Sequence, residues 1–157
     1  KRMNELNRRQ FCLGLALATA GYCVNGAAQE ENFPDDGTWS KHPIWRTLKQ
    51  TKLTTDDRGM VHAEIPPSVR ELAGRSLVIS GFILPLSTQT ESKHFILSRF
   101  SPECSFCPVG AANEVVEVFS VEPMRAAPHM VFLRGKFAVQ NNVEEGLFFR
   151  LEQAVVA

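Results

Sequence analysis

At 157 residues and 44% apolar content, the chain has room for one domain with a single core and too little length for two. Seventeen basic residues balance seventeen acidic ones, which leaves no basic excess to grip nucleic acid. Four cysteines and four histidines bound the metal and redox chemistry open to it.

Residues 1–28, KRMNELNRRQFCLGLALATAGYCVNGAA, run basic, then apolar, then rich in small residues, the order of an export signal. The apolar stretch from Phe11 to Val24 is shorter than the roughly 20 residues a membrane span needs. The segment NRRQFCL resembles the twin-arginine signal family through Arg8, Arg9 and Phe11, while Asn7, Cys12 and Leu13 depart from the usual flanks. Gly26 and Ala28 supply the small residues for cleavage after Ala28; a lipoprotein reading through Cys23 is disfavoured by the bulky Tyr22 before it. Cleavage there removes four basic residues and Glu5, leaving 13 basic against 16 acidic residues. The expected mature protein is periplasmic, has no membrane span, and keeps Cys104 and Cys107 as its thiols in an oxidising compartment.

Residues 29–42 are polar, with Pro34, Gly37 and two aspartates, and read as a flexible lead-in to a single domain spanning residues 43–157. Met60 to Ile65 alternates and predicts a half-buried strand. PPSVRELAG then reads as one or two helical turns, with Ser68 available as a cap and Gly74 as the stop. Ser76 to Leu86 is a long apolar strand whose central Gly81 marks a bulge or bend. Further strands are His94 to Phe100, Val115 to Val121, Met130 to Val139 and Leu147 to Val156, with NNVEEG as a hairpin loop before the last. Several bent strands and one short helix predict a mainly β domain: a small, strongly coiled sheet or partly open barrel of the oligonucleotide-binding (OB) type. At period two, Phe82, Phe95, Phe132, Phe137, Phe148 and Phe149 read as core rather than as a stacking face. Trp39 and Trp45 could serve as contact anchors, with core packing the plainer use.

GFILPL (Gly81 to Leu86), FILSRF, Cys104, Pro108 and NEVVEV (Asn113 to Val118) together resemble domain-of-unknown-function family 3299, small exported bacterial proteins. The likeness runs from Trp45 to Val156. Where many members carry histidine two residues after the loop cysteine, this chain has Phe106, followed by Cys107. Members with paired cysteines in this loop resemble components found beside zinc-uptake transporters. The resemblance thus implies such a transporter, or another periplasmic protein, as partner.

In the loop SPECSFCPVG, Cys104 and Cys107 are spaced so that one tight turn can bring both sulfurs to a single tetrahedral ion. No second cysteine pair supplies the remaining ligands; His129, Glu103 and His94 are the candidates, with Glu114 and His62 as further nearby groups. A redox couple remains open, although no thioredoxin-like framework surrounds the pair, and so does a plain disulfide, although so short a loop gains little from closure. No phosphate loop, nucleophile elbow or zinc-protease helix occurs, so no catalytic residue is named. The reading is a periplasmic protein that binds zinc or copper through its cysteine pair, in metal uptake or delivery rather than turnover; the alternatives are a thiol-disulfide accessory protein or a binding module with a structural disulfide.

Overall fold

The computed structural model describes residues 37–103 and 110–157. Helix α1, Pro43–Leu48, opens the domain: Pro43 fixes the first helical φ, and the His42 side chain accepts the N–H of Ile44. Trp45 and Leu48, three residues apart on one face, turn fully into the core. Strands β1 (Lys52–Thr55) and β2 (Val61–Glu64) form an antiparallel hairpin with Leu53 opposite Ala63. At its turn, Asp56 Oδ1 accepts the N–H groups of Arg58 and Met60, both at 2.9 Å. Helix α2, Pro67–Arg70, buries Val69. Its cap is Pro66 with no side-chain bond; Ser68, expected as the cap, instead donates to Gln50 Oε1 at 2.7 Å.

Five longer strands follow: β3 (Ser76–Pro85), β4 (Glu91–Ser98), β5 (Val115–Arg125), β6 (Val131–Asn142) and β7 (Leu147–Val156). They form a closed ring in the order β3-β4-β5-β7-β6. All neighbours are antiparallel except β5 and β7, which run parallel because β6 folds back between them in sequence. The expected coiled, OB-like sheet therefore closes on itself, with two helices where the sequence predicts one.

Closure depends on β3 changing partners along its length. Ser76 to Gly81 pair with β6, and Phe82 to Pro85 pair with β4. At Gly81 the β4 backbone comes so close that a Cβ would lie 2.5 Å from the Ser98 carbonyl oxygen. Only glycine permits that approach, and β3 runs through it without a register shift. Gly135 on β6 sits in the same way against the Glu152 carbonyl, 2.7 Å from an added Cβ.

Alternate residues of every ring strand point inward: Ile79 and Ile83, Phe95 and Leu97, Val116 and Val118, Leu133 and Phe137, Phe149 and Leu151 are all buried. Each such side chain contributes about 1.5–3 kcal/mol of burial. Trp45, Leu48 and Val69 from the two helices join this core. Phe82, Phe95, Phe137, Phe148 and Phe149 are buried as expected, whereas Phe132 is half exposed. No helix among the described residues is long and apolar enough to cross a membrane.

Candidate functional site

Strands β4 and β5 meet at Ser98 and Val115, and the chain between them carries the two cysteines. Cys104 and Cys107 lie outside the described residues; the roots of their loop lie within them. Arg99 N–H donates to the Glu114 carbonyl at 3.0 Å, continuing the β4–β5 ladder by one step. The side chains repeat the link, since Arg99 Nη1 reaches Glu114 Oε1 at 2.8 Å, with both groups about nine-tenths buried. Lys49, just past α1, adds a second cation to Glu114 Oε1 at 3.3 Å, and the Ala111 N–H bonds Oε2 at 3.3 Å.

A second strand-like segment braces the same root. Ser40 N–H donates to the Arg99 carbonyl at 2.8 Å, and Ser101 N–H donates to the Thr38 carbonyl at 2.7 Å. These bonds set Trp39 opposite Phe100 and place its ring 4.9 Å from the Arg99 guanidinium carbon. Behind the brace, Ser40 Oγ and Ser80 Oγ share a buried 2.6 Å hydrogen bond, and Trp45 Nε1 donates to the Ser80 carbonyl at 2.8 Å. Residues 38–42, within the polar lead-in, are thus hydrogen-bonded into the barrel.

Beside this brace is a cavity of about 260 Å³ lined by Trp39, Lys41, His42, Met130 and Phe132. Burial lowers the His42 pKa, which keeps its imidazole neutral at pH 7. His42 belongs to no motif in the sequence. The available signal was its place before Pro43, a cap position that fixes the ring.

A second polar cluster lies on the outer face of the ring. Glu117 of β5 is buried to 4% exposure although it points away from the core. Its Oε1 meets His94 Nε2 of β4 at 2.8 Å. Its Oε2 accepts from Gln140 Nε2 of β6 at 2.9 Å and from Arg150 of β7, Nε at 3.0 Å and Nη2 at 2.9 Å. Burial opposes ionisation of Glu117, but the bonds from Gln140, His94 and Arg150 outweigh it and hold the carboxyl below its ordinary range. Phe119 stacks on His94 at 4.3 Å between ring centroids and carries the Arg150 guanidinium 5.0 Å from its own. A groove of about 430 Å³ opens beside this cluster, lined by Leu86, His94, Ile96, Glu117, Glu145 and Leu147.

The structure scatters the metal candidates outside the cysteines. His94 is held by Glu117 on the outer face. Glu103 is exposed at the edge of the loop, its N–H bonded to Ser101 Oγ. His129 is exposed in the β5–β6 connection, next to Met130 of the cavity. His62 pairs with Asp56 at 3.1 Å on the hairpin. Among the described residues no group of three or more histidine, cysteine or acidic side chains converges.

No curated protein matches the chain. A crystal structure at 2.45 Å resolution of a DUF3299 family protein from Pseudomonas aeruginosa PAO1 is 18% identical, with a TM-score of 0.49, over 76% of this chain and 83% of that one. The profile of the family described as "Protein of unknown function (DUF3299)" matches residues 17–148. The chain belongs to the DUF3299 family.

Proposed function

We propose that the protein is an exported accessory of metal uptake or delivery that holds one soft ion, zinc or copper, on Cys104 and Cys107. The observation that carries this reading is the doubly fixed root of the cysteine loop. Backbone and side chain both tie Arg99 to Glu114, and the Thr38–Ser40 segment braces the near side. Arg99 and Glu114, from which the chain leaves for the two cysteines, are thereby held in place.

The donor chemistry fits a soft ion. Thiolates select copper(I) or zinc over harder cations. The neutral His42 imidazole and the Met130 thioether line the cavity beside the brace, and both are donor types such ions accept. The ion, when bound, would be cargo or a structural tie; Arg99, Glu114 and Lys49 do the work of presenting the loop.

Export belongs to the same reading, with residues 1–28 as a twin-arginine signal, a periplasmic location, and a metal-uptake transporter or another periplasmic protein as partner. Amino-terminal sequencing of the protein recovered from periplasm should start near Gln29.

The functional test is titration of the reduced protein with zinc and with copper(I), following thiolate–metal absorbance. Saturation at about one ion per chain, abolished in both Cys104→Ser and Cys107→Ser, supports the reading. No saturable absorbance with either ion would reject it. A mixed disulfide with a second protein trapped by Cys107→Ser would move the assignment to thiol–disulfide exchange.

A further inference from the structure

We propose that the groove between Leu86 and Glu145 on the outer face of the ring binds a small ligand with an aliphatic stem and an ammonium head. Its ligand chemistry does not depend on the role of Cys104 and Cys107. Its volume of about 430 Å³ falls in the range of small-ligand sites. It lies over β4 and β5, between the β3–β4 connection, which carries Leu86, and the β6–β7 turn, which carries Glu145. OB barrels present that same face, strands two and three between two connecting loops, to their ligands.

The lining decides the ligand's chemistry. Leu86, Ile96 and Leu147 give an aliphatic surface, and Leu86 is 52% exposed. The polar lining is His94, Glu117 and Glu145, with no lysine or arginine among the described lining residues. Gln140 and Arg150 each direct donors to Glu117 Oε2. Glu117 is held ionised and can only accept, so His94 Nε2 donates to its Oε1. Glu145 Oε2 takes the Asn142 amide at 2.7 Å, which fixes the carboxylate and leaves Oε1 available. The groove therefore offers aliphatic surface and a carboxylate oxygen of Glu145 as acceptor. An alkylammonium matches each part: its stem covers the aliphatic wall, and its N–H donors meet the Glu145 carboxylate. A carboxylate ligand would face Glu117 and Glu145 instead.

The test is an NMR titration of the full chain with hexylammonium, hexanol and hexanoate, read at the backbone amides of His94, Glu145 and Leu147. Hexylammonium should give saturable shifts at these positions, hexanol weaker ones and hexanoate none. Glu145→Gln should weaken hexylammonium about fivefold, the size of one partly exposed ion pair. Glu145→Lys should remove that binding and admit hexanoate. Shifts that do not saturate, equal response to the alcohol or the carboxylate, or indifference to both Glu145 variants would each overturn the proposal.

Discussion

Arg99 and Glu114 lie fifteen positions apart in sequence and 2.8 Å apart in space, one at each root of the cysteine loop. Ser98 and Val115 pair as the end of the β4–β5 ladder, and the Arg99–Glu114 bonds carry that pairing one residue further. The pair is where barrel stability passes into loop geometry.

Replacing Glu114 with Gln removes a negative charge that meets both Arg99 and Lys49. Losing one partner of a buried ion pair costs about 3 kcal/mol, because the remaining charge stays desolvated. Equilibrium unfolding in urea should register that loss, and metal titration of the folded variant should show affinity about tenfold weaker. Unchanged affinity would mean the root does not set the loop.

Glu117 should make stability depend on pH in acid. Its folded carboxyl is held below the ordinary glutamate value of 4.5, so the folded state binds this proton less readily than the unfolded chain. The stabilisation is complete above about pH 4.5 and fades as pH falls through the lowered folded value. Glu117→Gln should cost about 3 kcal/mol at neutral pH and flatten the acid limb of the stability profile. Denaturant melts across that range test both effects.

Gly81→Ala places a Cβ 2.5 Å from the Ser98 carbonyl oxygen and 2.9 Å from Leu97 Cγ. Neither contact is a loose side-chain tip, so β3 and β4 must separate where the ring changes partners. The expected loss is about 1–3 kcal/mol, visible as a lower thermal midpoint. A neutral result would show that closure at Gly81 is less tight than the backbone indicates.

Trp45→Phe keeps an aromatic ring in the core and removes the Nε1 bond to the Ser80 carbonyl. The lost volume and lost bond together should cost about 2–4 kcal/mol. Ser80 also bonds Ser40 in the brace, so backbone hydrogen exchange at Ser40 and Ser101 should quicken more than at β7. Uniform quickening would indicate global destabilisation alone.

The ring strands were legible because their apolar residues alternate or run together, as in SLVISGFILP and LFFRLEQAVV, and the glycine in the middle of the first marks the close approach to Ser98. Helix α1 was not legible: six residues with a proline at the start carry too little periodicity. Strand β1, KLTT, offers a single apolar residue. The Glu117 cluster was hidden for another reason. In VVEVF the acid reads as an ordinary outward position, and only ring closure brings His94, Gln140 and Arg150 from three other strands to its two oxygens. Cys104 and Cys107 stood out by spacing alone, but the residues that fix their loop, Arg99, Glu114, Lys49 and Trp39, share no motif. They come together through strand register and an added segment, which a linear reading does not contain.

The cysteine-clamp account is decided by the metal content and free-thiol count of the protein purified without a metal-affinity tag. It predicts about one equivalent of zinc or copper per chain, lost in Cys104→Ser while the fold persists. Protein without metal or free thiols, taking up neither ion after reduction, would contradict it and leave Cys104 and Cys107 as a disulfide whose reduction potential would tell a redox couple from a staple.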